Sequence, residues 1–175
     1  MGRIRTVEKS LLFSGLLYSD QHYYNRAYSA LQEVFGDVVM ESPPSGWNFS
    51  GYYREEMGAP IFRRFLFFRN PINPDALSAA KLKTIEMESY LSLDGKRQVN
   101  LDPGYITPAK VVLASTKDYS HRIYLKDGIY AETTLIFKGK RFVPHLHTYT
   151  DYKEERQQKI FLLAREMLFL LKING

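Results

Sequence analysis

Apolar positions along this chain change their rhythm several times, and each change predicts an element. Leu11 to Tyr18 is a nearly unbroken apolar run, which reads as a buried strand. Ser19 or Asp20 then offers a cap for a helix that places Tyr24, Ala27, Leu31 and Val34 at three-to-four spacing and stops at Gly36. Asp37 to Ser42 reads as a short second strand. Pro43 to Pro60, broken by glycine and proline, reads as a long loop with one helical turn at Tyr52 to Met57. Ile61 to Phe68 is a third strand, rich in aromatic residues. Asn73 and Pro74 supply the cap and first turn of a helix that runs to about Ser92. The stretch DGKRQVNLDPGY then predicts a turn, a fourth strand near Gln98 to Leu101, and a type II turn at Asp102, Pro103 and Gly104.

The resulting order, βαββαβ, is the ferredoxin-like sequence of elements and predicts an α+β fold with a mostly antiparallel mixed sheet. Further along, Thr107 and Pro108 open a short predicted helix with Val111 and Val112 inward and Lys110 and Lys117 on one face. A hairpin follows. With Lys126, Asp127 and Gly128 as a three-residue loop, Leu125 faces Ile129, Tyr124 faces Tyr130 and Arg122 faces Glu132. That register puts Ile123, Leu125, Ile129, Ala131, Thr133, Leu135 and Phe137 on a core face, and Arg122, Tyr124, Tyr130, Glu132 and Thr134 on a polar one. A turn, a short strand and a loop fill Lys138 to Tyr152. From about Asp151 to Ile173 a last helix carries Ile160, Phe161, Ala164, Met167, Leu168 and Leu171 as the stripe that packs it on the sheet.

With 175 residues, 45% of them apolar and 14% aromatic, the chain suits one domain, residues 1–175, with its own core. Cysteine is absent, which excludes disulfides, thiolate metal sites and a cysteine nucleophile, and fits a cytosolic setting. The basic start is followed by a run that Ser14, Ser19 and Asp20 interrupt, unlike a secretory signal. No apolar stretch is long enough for a membrane span, since Arg165 and Glu166 break the closing one, so no membrane partner is expected. A net charge of +5 and a pI near 9.3 favour anionic partners. The bias is diffuse, because basic and acidic residues alternate through most of the chain.

Candidate chemistry concentrates between Asn100 and Leu135. Arg122 and Glu132 form either a solvated cross-strand ion pair or, with Tyr124 and Tyr130, one wall of a pocket for a flat or phosphorylated ligand. Asn100 and Asp102 share the outward face of the fourth strand. Asp102 either starts the turn or, if that strand lies beside the hairpin, approaches Glu132 as an acid-base partner. Lys117, Asp118 and His121, in STKDYSHR, are types used in anion binding and proton transfer. No phosphate-binding glycine loop and no G-x-S-x-G elbow is present, which argues against a P-loop NTPase, a Rossmann enzyme and an elbow-type serine hydrolase. His145 and His147 point one way on a strand, but no third ligand is spaced to complete a metal site. Glu55 and Glu56 read as a solvated turn, while Trp47, Tyr52 and Tyr53 could close over a ligand as a lid.

The run KRQVNLDPGYITPAKVVLASTKDYSHRIYLKDGIYAETTL, together with YYREEMG, RRFLFF and TYTDY, resembles the bacterial family called domain of unknown function 4416. The resemblance spans almost the whole chain and implies a stand-alone bacterial cytosolic protein, with no established activity, cofactor or catalytic residue to carry over. One departure is Ile85, where similar sequences have asparagine after KLKT.

Together these features predict binding, with turnover left open, of a small anionic ligand that is nucleotide-like or phosphorylated. Arg122, Lys117, Asp118, Tyr105, Tyr124 and Tyr130 are the expected contacts, and Glu132, His121 and Asp102 the expected proton-transfer groups. The alternative is an RNA or ribonucleoprotein-binding module that uses exposed tyrosines as stacking platforms, or an interaction subunit without catalysis. Neither a cofactor nor an oligomeric state follows from the sequence.

Overall fold

β1 (Leu11–Tyr18) is buried at every position because it has a partner strand on both edges and a helical layer on both faces. The computed structural model describes residues 2–4 and 6–173. β1 lies antiparallel between β4 (Ile61–Phe68) and β5 (Val99–Ile106). α1 (Gln21–Phe35) begins where the Asp20 carboxylate accepts the His22 backbone N–H. Tyr24, Ala27 and Leu31 are buried as their spacing predicts, while Val34 stays exposed. β2 (Val38–Glu41) returns to pair with β4, and a single 3-10 turn behind Asn73 leads into α3 (Leu77–Tyr90).

The remaining elements are β3 (Ser45–Trp47), α2 (Tyr52–Met57), β6 (Lys110–Ser115), β7 (Ile123–Lys126), β8 (Ile129–Lys138), β9 (Arg141–Pro144) and α4 (Glu155–Ile173). The nine strands of the described residues join one sheet, in the order β2-β4-β1-β5-β6-β8-β7, with β3 pairing β4 and β9 pairing β8. Every pairing is antiparallel, so the expected parallel admixture is absent among the described residues. The βαββαβ start is present with the short strand β3 and helix α2 inserted between β2 and β4.

Two cores hold the layers together. On one face Leu12, Leu16, Leu66, Phe68, Val99 and Leu101 meet Tyr24, Ala27 and Leu31 of α1 and Ala80 and Met87 of α3. On the other, Leu11, Phe13, Phe65, Phe67, Ile106 and Leu113 meet Phe161, Ala164 and Leu168 of α4. Strands covered on both faces lose the alternation that exposes one side to water, which is why β1 and most of β4 read as continuous apolar runs.

Four expectations are corrected. The Asp102-Pro103-Gly104 turn does not form, because β5 runs through it, paired with β1 at each residue. Proline is tolerated in a strand whose missing N–H faces an unpaired edge, and β6 joins β5 only from Gly104 onward. Lys110 to Ser115 is a strand, not a helix. Thr107 makes the hairpin turn, its hydroxyl accepting the Ala109 and Lys110 backbone N–H groups, and Val111-Val112 suits the pleat. The β7-β8 loop has two residues, Asp127 and Gly128, both at positive φ, with Lys126 opposite Ile129 and Leu125 bulged out. Tyr124 does face Tyr130. A second bulge lets Leu135 pair with Val111 but Thr133 with Val112. It moves Leu135 to the α4 face, away from Ile129 and Ala131; Ile123, on the edge strand β7, is 74% exposed instead of in the core.

Gly104 is where two strands and a ring crowd together. A Cβ there would overlap the Val112 carbonyl oxygen and sit 2.7 Å from Phe13 Cε1. Gly104→Ala is therefore expected to lower stability by about 1–3 kcal/mol in urea denaturation. An unchanged midpoint would contradict this packing.

Candidate functional site

β5 and β6 pair only from Gly104 to Ile106 and from Val111 to Leu113. Beyond that, β6 continues beside β8 while Val99 to Pro103 of β5 has no strand on that edge. The two strands part, and a cavity of about 580 Å³ opens between them on the α4 face of the sheet, lined by Arg63, Leu113, Asp151 and Tyr152.

Its floor is charged. Arg63 of β4 is 5% exposed, and burial works against its charge, but Asp151, Tyr152 and Asp102 outweigh that and hold it firmly protonated. Its Nη2 donates to Asp151 Oδ2 at 2.7 Å, and Nη1 lies 3.7 Å from Asp102 Oδ2. Room for the guanidinium comes from Gly15 on β1, where a Cβ would lie 2.7 Å from Nη1. Asp102 also accepts the Asn100 side-chain amide at 2.8 Å. Lys81 reaches round the unpaired edge of β5 from α3, donating to the Leu101 carbonyl at 2.9 Å and lying 3.5 Å from Asp102. Two turns on, Glu88 accepts the Leu101 N–H at 2.5 Å. Burial pushes the Glu88 carboxyl up to about 7, with Asp102 adding to the rise and Lys81 and the Leu101 N–H only partly offsetting it.

One wall is aromatic. Trp47 Nε1 donates to Asp151 Oδ2 at 3.1 Å, and the indole packs edge-on against Tyr53 and Phe49. Tyr53 belongs to α2, which closes over the mouth, and burial keeps its hydroxyl protonated far above the usual range, with Asp102 reinforcing the effect. Arg97 joins this wall to the floor. It donates to Glu56 and to the Tyr52 hydroxyl on α2, and to Asn100 Oδ1 on β5, while Glu88 lies 3.8 Å from it.

The residues expected from sequence divide into three groups. Asp102 and Lys117 line the cavity. Arg122, Glu132 and His121 sit behind it: Arg122 Nε donates to Glu132 at 2.7 Å with both side chains buried, and His121 Nε2 lies 3.2 Å from the same oxygen. The other Arg122 donors reach the Ser115 hydroxyl, the Lys117 carbonyl and the Tyr149 hydroxyl. Three cavity-lining residues are thus positioned by one guanidinium, with four of its donors engaged. Tyr105, Tyr124, Tyr130 and Asp118 lie elsewhere. Tyr105 packs with Leu77 and Val112 on the α3 face, Tyr124 and Tyr130 contact each other on the hairpin, and Asp118 is exposed. β6 separates Asp102 from Glu132, so the expected approach of those two carboxylates does not occur.

Sequence reasoning missed Arg63, Lys81, Glu88, Arg97 and Asp151. A signal existed for two pairs: arginines inside the apolar run IFRRFLFF, and a lysine and glutamate seven apart on the buried side of α3. Glu56 is an ion-pair partner of Arg97 and not a solvated turn residue, and Ile85, the departure noted above, lines the cavity. His147 stacks on His121 at 4.3 Å, and His145 contacts the Thr133 carbonyl. Among the described residues no three His, Asp or Glu side chains are placed to hold a metal.

Fold and cavity together define an α+β protein with a ferredoxin-like start, an extended antiparallel sheet and a charged cleft where that sheet parts. The chain belongs to the family described as domain of unknown function (DUF4416), whose model matches residues 8–168. No curated protein and no solved structure matches it. No helix among the described residues is long and apolar enough to cross a membrane.

Glu88 should be visible in stability. Between its ordinary carboxyl value of 4.5 and about 7, the folded protein holds a proton that the unfolded chain has released, so the stability contribution present below that window is lost as pH rises through it. Relative to Glu88→Gln, the wild-type chain should lose on the order of 3 kcal/mol across this range in urea titrations at successive pH values. Parallel pH profiles for the two proteins would contradict the raised value.

Proposed function

We propose that the protein binds a small anionic ligand, nucleotide-like or phosphorylated, in the cleft between β5 and β6. The observation that carries this reading is the meeting of an aromatic wall (Trp47, Tyr52, Tyr53) with four cations (Arg63, Lys81, Arg97, Lys117) in one cavity. Its volume falls within the roughly 300–1,000 Å³ typical of small-molecule sites. Rings of this kind stack on a planar group, and a cationic lining suits its anionic substituent.

Charge balance agrees. The four cations face Glu56, Glu88, Asp102 and Asp151, so the lining is neutral until Glu88 takes up a proton near pH 7 and leaves a positive surplus. Lys117 at the rim forms no ion pair among the described residues. Turnover, where it occurs, would draw on the two carboxylates with contrasting surroundings, Glu88 in a desolvated niche and Asp102 between two cations. The setting proposed is the cytosol of a bacterium, in keeping with the lack of cysteine and the family resemblance.

A thermal-shift screen with nucleotides, sugar phosphates and short RNA at two salt concentrations tests this reading. A bound nucleotide at a hundred times its Kd should add about 2.7 kcal/mol, a shift of several degrees that survives added salt. A flat screen, or a shift only with RNA at low salt, would refute the small-ligand reading, the latter in favour of RNA binding.

A further inference from the structure

The four cations of the cleft differ in what occupies them. Arg63 is fixed by Asp151, and Lys81 by the Leu101 carbonyl and Asp102, all on or behind the sheet. Arg97 is 26% exposed on its side chain, and the carboxylate it holds at hydrogen-bond distance belongs to α2, a six-residue helix, with Glu88 farther off at 3.8 Å. Nε and Nη2 of Arg97 converge on one Glu56 oxygen at 2.8 and 2.7 Å, the contact an arginine fork makes with an anion. Apart from Tyr53, which packs on Leu17, Trp47 and Ile61, the side chains of α2 make few contacts with the sheet. Glycines flank the helix, Gly58 at φ +81 where other residues are strained, and only Met57 of the helix is buried. Ser19 tethers the Met57 end through its carbonyl, and the polar contacts that tie the helix to the floor of the cleft are those of Arg97 with Glu56 and the Tyr52 hydroxyl.

We infer that Arg97 is the anion-binding residue of this cleft and that Glu56 is an internal stand-in, which an incoming phosphate or carboxylate displaces as α2 swings about its Met57 end. The inference rests on the binding reading above and adds to it the residue that takes the ligand's anionic group and the contact that competes with it. Lys117, free of a carboxylate, is the second cation available to the same group. The planar part of the ligand then lies against Trp47 on the sheet and Tyr53 on α2 itself.

The two ends of an ordinary structural ion pair affect binding in the same direction when removed. Here they are expected to act in opposite directions. The test uses Trp47, the only tryptophan of the chain, as a fluorescent reporter, with the four common nucleoside 5′-monophosphates and the matching nucleosides as probes. Glu56→Gln should tighten the best-bound monophosphate by about fivefold or more, by removing a competing carboxylate. Arg97→Ala should weaken it by about tenfold or more, and Arg97→Lys, which keeps the charge without the fork, should fall between. The nucleoside lacking phosphate should bind all the proteins alike. Circular dichroism confirms that each variant is folded, and Arg97→Lys carries the test if Arg97→Ala is not. Binding of a monophosphate that Glu56→Gln leaves unchanged or weakens would overturn the stand-in while leaving the cleft reading intact. Failure of both wild type and Glu56→Gln to bind any probe would overturn both.

Discussion

A guanidinium buried in an antiparallel sheet needs opposite charge within hydrogen-bond reach, because desolvating a charge costs more than packing recovers. Arg63 is that group here, and much of the molecule is arranged around it. Asp151 answers it at 2.7 Å from the turn that precedes α4, and the same carboxylate accepts the Trp47 indole N–H. One ion pair therefore fixes the sheet's internal cation, the aromatic wall and the place where α4 approaches. On the neighbouring strand the residue beside the guanidinium has to be glycine, and Gly15 is. Arg63 Nε and Nη1 have no hydrogen-bond partner among the described residues.

From this centre the cleft follows. β5 stays paired with β1, its Asp102 facing Arg63, while β6 stays with β8, and the strands separate where their pairing ends. The edge thereby exposed lets Lys81 and Glu88 of α3 enter from the opposite side of the sheet. Behind the far wall, the buried pair of Arg122 and Glu132 holds Ser115, the Lys117 backbone and Tyr149 in place. Charges at the floor are locked into the fold. Those at the mouth, Arg97 and Lys117, belong to the part that can respond to a ligand.

The α1 and α4 stripes, the strands β1 and β4 and the βαββαβ order were legible in the sequence because each depends on local spacing and caps. β6 was not, since a short run of buried apolar residues has no period to separate strand from helix. Nor were the two bulges, one of which reverses which face Leu135 occupies, because a bulge is set by pairing with a distant strand. The proximity of Arg122 and Glu132 was readable from hairpin register, but its burial behind the cleft was not. Arg63, Asp151, Lys81 and Arg97 come from segments far apart in the chain, and only the fold brings them together. The polar stretch from Asn100 to Leu135 thus supplies Asn100 and Asp102 at the floor, part of one wall and its support, while the rest of the floor is built from residues that looked unremarkable in their local context.

The most direct test of the cleft is the ¹H–¹⁵N spectrum of the protein during titration with a nucleoside monophosphate. Trp47 contributes the single indole N–H signal, and that proton points at Asp151 inside the cleft. The indole signal and the backbone signals of Tyr52 to Met57 and Asn100 to Asp102 should shift together and saturate. An unmoved indole, with shifts gathered instead around Tyr124 and Tyr130 on the β7-β8 hairpin, would place the site on the sheet's outer edge and contradict the cleft.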